Sequence, residues 1–222
     1  MKRAVICFTR VPKPGQTKTR LLPLLSGEHC AQLHRAFLKD LSILYRGFDA
    51  DLFVAYTPDP HWQELQELFP MATSFFPQEG EDLGARMKNA IASVLDLAYD
   101  SCILTGSDLP LLTAAHLESG FAALEQADVT FGPTSDGGYY LVGMKRLCPE
   151  VFEKQSYGGS SVWENTLAAA QNAGYSVAAA EACDDVDTPE DLRQLWQQIA
   201  GNGSHTACFL EEIQKEGVTL DP

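Results

Sequence analysis

Seven short apolar runs punctuate the chain: AVICF (4–8), DLFVAY (51–56), SFF (74–76), CILT (102–105), DVTFG (128–132), YYLVG (139–143) and YSVAAA (175–180). They are brief and rich in β-branched, aromatic and small apolar residues, the signature of strands buried on both faces. The stretches between them keep a different period. In 83–98, apolar residues stand at Leu83, Met87, Ala90, Ile91, Val94, Leu95 and Ala98, a spacing that gathers them on one helix face. The same period predicts helices over about 28–46, 113–126, 160–173 and 189–199. Thr188-Pro189-Glu190-Asp191 marks a helix start, with Thr as cap, Pro in the first position and acids at the positive end of the dipole.

Strands alternating with helices predict an α/β fold, a three-layer α/β/α sandwich around a mainly parallel sheet. One pair breaks the rule. DVTFG and YYLVG are joined only by PTSDGG, too short for a parallel crossover, so they should run antiparallel and the sheet should be mixed. Residues 1–200 read as one domain. Gly201-Asn202-Gly203-Ser204 reads as a hinge into a C-terminal appendage, 201–222, whose Phe209, Leu210 and Ile213 fall at helical spacing. That apolar face would cover either the domain or a second subunit, as in a homodimer.

Composition narrows the function. A net charge of −14 over 222 residues argues against nucleic acid or an anionic membrane as partner, since both need broad positive potential. The apolar run after Met1-Lys2-Arg3 is too short for a signal-peptide core, and no stretch approaches a membrane span, so a cytoplasmic protein is expected. The six cysteines contain no CxxC pair and read as reduced thiols rather than a zinc site or disulfide framework.

The charges are unevenly placed. Residues 1–20 carry six of the sixteen basic residues and no acid, while 181–191 carry six acids and no base. A solvated basic end and an acidic helix start would account for this. So would a small anion and a metal cation held at two sides of one site.

Four segments carry candidate chemistry. FTRVPKPGQTKTRLLP (8–23) follows the first strand, where open α/β sheets bind ligands. It fits neither the Walker loop nor GxGxxG. Gly15 would permit close backbone approach, and Arg10, Lys18 and Arg20 are candidate phosphate contacts; the ordinary alternative is a solvated loop. In CILTGSDLPLL (102–112), Asp108 stands just past a strand end, suited to Mg²⁺ or Mn²⁺ or, more commonly, to capping a turn. In GPTSDGGYYLVG (132–143), Asp136 either lines a reactant pocket or simply closes a hairpin. In CDDVDTPEDL (183–192), Asp185 and Asp187 are two apart and would share one side of an extended segment, suiting joint cation binding.

In that order, FTRVPKPGQTKTRLLP, DLGARM, TGSDLP, GPTSDGGYYLVG and DVDTPEDL resemble a bacterial glycosyltransferase-like family of the nucleotide-diphospho-sugar transferase superfamily, with a Rossmann-like GT-A fold, over about residues 4–195. The chain is also similar to phospholactate guanylyltransferases and molybdenum-cofactor nucleotidyltransferases. The resemblance implies that the first loop holds nucleotide phosphates, that Asp108 and Asp187 hold the metal, that Asp136 lies near the reacting groups, and that Arg86 adds an anion contact. Where sugar-transferring members carry Asp-x-Asp, this chain reads Gly-Ser-Asp, and Tyr157 stands where a tryptophan is expected. The implied function is a metal-dependent transfer from a nucleotide sugar, or alternatively from a nucleoside triphosphate with pyrophosphate release, to a small-molecule acceptor. A non-catalytic nucleotide-binding module is the reading of another class.

Overall fold

Alternate residues of the first strand enter opposite cores, as a two-residue repeat requires. Val5 and Cys7 pack into one, Ala4 and Ile6 into the other. The computed structural model in which this is seen describes residues 1–153, 155, 157–159 and 161–220. Its sheet has seven strands: β1 (Arg3–Thr9), β2 (Asp51–Tyr56), β3 (Ser74–Pro77), β4 (Ser101–Thr105), β5 (Val129–Pro133), β6 (Tyr139–Met144) and β7 (Val177–Ala179), in the order β3-β2-β1-β4-β6-β5-β7. All seven predicted strands are present. β1 pairs in parallel with both β2 and β4, whereas β6 runs antiparallel to β4 and β5, so the sheet is mixed as the short PTSDGG connection required.

Helices α1 (Gly27–Arg46), α2 (Glu64–Leu68) and α4 (Ala114–Gln126) cover one face through Leu38, Leu41, Leu65, Leu117 and Phe121. Helices α3 (Leu83–Leu95) and α5 (Val162–Asn172) cover the other through Met87, Ile91, Val94 and Ala170. The three-layer α/β/α sandwich expected from the alternation is therefore the fold. Helix α3 stops three residues before the predicted end, because the chain turns after Leu95 and Ala98 is left-handed (φ 62°). The predicted start of α5 at residue 160 lies outside the described residues. Helix α2 was not foreseen, since five residues are too few to display a period.

The Thr188 cap behaves as its sequence indicated. Its hydroxyl accepts from Asp191 N–H, and the Asp191 carboxylate accepts from Thr188 N–H at 2.7 Å, opening α6 (Pro189–Ile199). The last helix, α7 (His205–Lys215), does not stand apart from the domain. Its Leu210 and Ile213 are buried with Leu195 and Ile199 of α6 against Leu33 and Phe37 on the outer side of α1. Burial of each such side chain contributes about 1.5–3 kcal/mol. Residues 221–222 of the predicted appendage lie outside the described residues. Among the described residues, no helix is long and apolar enough to cross a membrane. All six thiols are free, with Cys208 exposed and the other five buried.

Candidate active-site cleft

Strand β1 has parallel neighbours on both sides, and the chain leaves it first towards β2 and later returns on its other flank as β4. This reversal opens a crevice at the carboxyl ends, the usual ligand position of such sheets. The 10–26 loop and the segment after Thr105 meet there and enclose a cleft of about 400 Å³. Arg10, Lys18, Arg20, Arg86, Asp108 and Asp187 all line it, so six residues scattered across the sequence converge.

The first loop is shaped by a Pro14-Gly15 turn. Gln16 N–H donates to Lys13 O, and Gly15 takes the positive φ (71°) that the second central position of such a turn demands. Gly15 thus serves the turn rather than lining the cleft. Lys18 is also left-handed (φ 53°, ψ 40°), a conformation costly for a residue that carries a Cβ and one that surrounding contacts must hold.

Those contacts are ionic. Lys18 Nζ lies 2.8 Å from Asp108 Oδ1 and 3.7 Å from Asp187 Oδ1, and donates to Val186 O at 2.5 Å. Only 2% of its side chain is exposed, whereas Arg20, which reaches Asp187 Oδ2 at 3.1 Å, is 68% exposed. The sequence reading gave both residues the same task. The structure separates them: buried Lys18 lies against both carboxylates, whereas Arg20 pairs with Asp187 alone and stays largely exposed in the cleft that Arg10 and Arg86 also line. Arg10 and Arg86 are steadied by carbonyl acceptors, Gln16 O at 3.4 Å and Gly80 O at 3.1 Å.

Asp108 and Asp187 come together because the 183–188 segment is stitched to the β4 loop, with Val186 N–H donating to Asp108 O at 2.9 Å. Asp108 turns Oδ1 inward, where that atom is shielded from solvent, yet 39% of its side chain remains exposed. Its other oxygen therefore carries the exposure towards the cleft. Burial alone would raise the Asp108 pKa, but the Lys18 ammonium and the His34 ring beside it hold the carboxyl well below the usual carboxylate range. His34 Nδ1 stands 3.4 Å from Asp108 Oδ1, and its Nε2 lies 3.3 Å from Thr9 Oγ1.

Asp185 shows the opposite balance. Burial, then the charges of Asp187, Asp136 and Asp108, push its pKa up to about 6, with Lys18 alone among the neighbours pulling it down. The region thus holds more negative charge than its one buried lysine compensates. Among the described residues no three His, Cys, Asp or Glu side chains form a ready-made metal cluster. Asp108, Asp185 and Asp187 are nevertheless hard oxygen donors of the kind a divalent cation takes.

Asp136 sits differently. Its Oδ1 accepts from Thr134 Oγ1 at 2.5 Å and from Gly138 N–H at 3.0 Å, closing the β5–β6 turn. It lines a second groove of about 660 Å³ that shares Arg20 and Asp187 with the first cleft. Two further residues escaped the sequence reading, His34 and Gln78, and the half-buried position of Asp185 was not foreseen. His34 read as an ordinary helix histidine because its partner is 74 positions away in the chain, a separation no local pattern reveals. Buried Gln78 donates to Thr9 O at 2.9 Å and Ala55 O at 3.0 Å and accepts from Thr57 Oγ1 at 3.2 Å, tying the ends of β1 and β2 to the loop after β3.

Known proteins share this fold. A crystal structure from Desulfovibrio desulfuricans G20, described as a nucleotide-diphospho-sugar transferase, superimposes with a TM-score of 0.89 at 30% identity, covering 97% of this chain and 96% of that one. The 2-phospho-L-lactate guanylyltransferase of Methanothermobacter thermautotrophicus is 28% identical over 89% of this chain and 85% of its own length. The Mycobacterium tuberculosis H37Rv protein Rv0371c, solved with manganese, shares the fold at a TM-score of 0.52 and 16% identity, covering 89% of this chain and 99% of that one. The bacterial family described as "Uncharacterized protein conserved in bacteria (DUF2064)" matches residues 43–159, more than half of the chain, and to that family, within the nucleotide-diphospho-sugar transferase fold, the chain belongs.

Proposed function

We propose that the protein is a nucleotidyltransferase that joins a nucleoside triphosphate to a small phosphorylated acceptor and releases pyrophosphate. The observation that carries this reading is the 28% identity, spread over 89% of the chain, to a guanylyltransferase named for 2-phospho-L-lactate. The sequence reading had put sugar transfer first; this likeness favours the nucleotidyl alternative. The cleft supports it through its three arginines and lone Asp108, because phosphoryl-group transfer is catalysed mainly by positioning and charge stabilisation.

In this reading an acceptor phosphate oxygen attacks the α-phosphorus of the triphosphate. The bond from that phosphorus to the bridging oxygen breaks, and pyrophosphate leaves with the electron pair. Arg10, Arg20 and Arg86 stabilise the charge on the departing group. Lys18 holds Asp108 and Asp187 in register, and His34 backs Asp108. Asp108, Asp185 and Asp187 would hold Mg²⁺ or Mn²⁺, which supplies Lewis-acid stabilisation of phosphate oxygens; manganese in the Mycobacterium tuberculosis protein is in keeping with this. Asp136, across the shared groove, orients the acceptor.

Pyrophosphate release tests the proposal. The protein is incubated with each of the four common nucleoside triphosphates, Mg²⁺ or Mn²⁺, and 2-phospholactate or related phosphorylated acids. Acceptor-dependent pyrophosphate is expected. The 30% identity to the Desulfovibrio desulfuricans protein favours sugar transfer as the second reading. Nucleoside diphosphate released from a nucleotide sugar, with no pyrophosphate from any triphosphate, would install that reading instead.

A further inference from the structure

Behind Asp108 the cleft opens into a smaller chamber of about 180 Å³. Its walls are apolar: Phe8, Leu83, Met87, Leu104, Leu109 and Val142. Phe8, Leu83, Gly106 and Asp108 line both spaces, so the chamber is a side room of the nucleotide cleft. Asp185 borders it as well, which places two of the three candidate metal-binding carboxylates, Asp108 and Asp185, beside the apolar walls. Leu83, at the first position of α3, is 43% exposed in this shared wall. Leu83 thus adds an accessible apolar surface at the junction of the two cavities.

We infer that this chamber receives a compact apolar side chain of the acceptor, about the size of a phenyl ring, and so selects a phosphorylated acid bulkier than phospholactate. The inference rests on the nucleotidyl-transfer reading. Size is the first argument. A cavity of about 150 Å³ lined by aliphatic and aromatic groups accommodates benzene, and this chamber is slightly larger, far more than a methyl group needs. Polarity is the second. A nucleobase would bring several hydrogen-bonding edges, and the two tyrosine hydroxyls nearby are engaged elsewhere. Tyr140 Oη donates to Glu181 O at 2.9 Å, and Tyr139 Oη donates to Tyr157 Oη at 3.5 Å. Apart from the Asp108 and Asp185 carboxylates at its border, the chamber offers a base few polar partners, and each buried polar atom left unpaired costs about 1–3 kcal/mol. An apolar group incurs no such cost and gains from burial. Position is the third. A group seated there emerges beside Asp108, so the phosphate it carries enters the charged cleft where transfer would occur.

The methyl group of Met87 reports on the chamber independently of turnover. The full chain, labelled with ¹³C at its four methionine methyls, is titrated in Mg²⁺ with 2-phosphooxy-3-phenylpropanoate, 2-phospholactate, inorganic phosphate and the nucleoside triphosphates; Met87→Leu assigns the resonance. The Met87 signal should move with the phenyl compound at a half-saturation concentration at least tenfold below that of 2-phospholactate. Gly106→Val should abolish the movement, since a side chain there meets nothing within 4 Å and projects into the shared opening. Equal half-saturation for the two acids, a silent Met87, or a Met87 response to triphosphate alone overturns the inference. Pyrophosphate release is scored separately. Release with a silent Met87 keeps the reaction and removes the chamber's role; a selective Met87 response without pyrophosphate from any pairing does the reverse.

Discussion

Asp108 and Asp136 both stand just beyond strands at the carboxyl edge of one sheet, yet they are different kinds of residue. Asp108 is bound to side chains and backbone brought from residues 18, 34 and 186, and its neighbours are buried charges. Asp136 spends its Oδ1 on groups two residues away and closes its own turn. The first aspartate is held by the fold and the second by its immediate sequence. A carboxylate that long-range contacts keep ionised in a partly closed site is a candidate for chemistry; one that completes a turn already has a structural task, whatever it does besides.

The contrast can be broken or sharpened by substitution. Asp108→Ala should have the largest effect. It leaves the Lys18 ammonium buried without its nearest carboxylate, a loss of about 3–5 kcal/mol, and it should also abolish Mg²⁺-dependent triphosphate binding. Urea denaturation and calorimetric titration check the two consequences. A normal denaturation midpoint would show that Lys18 finds water in the variant. Lys18→Met should follow closely in size, since Asp108 and Asp187 then lose the buried cation between them and only exposed Arg20 remains on Asp187. Millimolar Mg²⁺ should restore its thermal midpoint more than it raises that of the wild type; equal increments would argue that the cation does not bridge these carboxylates.

Asp185→Asn should act in the other direction. The folded pKa of Asp185 lies near 6, above the unfolded value of 3.8, so the folded state binds the proton more tightly. Its stabilising contribution is complete below about pH 4 and is lost as pH rises through about 6. In EDTA at pH 7.5 the asparagine should therefore stabilise the protein, by at most about 3 kcal/mol, and the gain should vanish at pH 4. Melting curves at the two pH values decide this. Asp136→Ala should have the smallest effect on stability, about 1 kcal/mol or less, because the turn keeps its glycines. If turnover falls a hundredfold while stability hardly changes, Asp136 acts on the acceptor as well as on its turn.

Strand positions were legible because each buried strand is a short apolar run, and the antiparallel β5–β6 pair was legible because six linking residues cannot cross a sheet in parallel. The convergence of Arg10, Lys18, Arg20, Arg86, Asp108 and Asp187 was legible only as an ordered set of segments, each ambiguous alone. What the sequence concealed is pairing. Nothing near Lys18 announces that its amine will bind carboxylates 90 and 169 residues away rather than a phosphate. The shift of Asp185 likewise depends on charges that only the folded chain assembles. Local chemistry appears in a sequence; the sign of the field at a point does not.

The closing helix has a bearing on the cleft that its distance conceals. Asp40 of α1 accepts hydrogen bonds from His205 N–H at 2.8 Å, from Thr206 N–H at 2.9 Å and from the Thr206 hydroxyl at 2.6 Å, clasping α7 to the outer side of α1. The inner side of the same helix presents His34 to Asp108. Cutting the polypeptide after residue 200 would wet Leu33 and Phe37 and loosen the wall behind the carboxylate. A fragment ending there would melt as a whole instead of merely losing a tail, and proteolytic nicking near Gly203 would be felt at the opposite surface of the molecule.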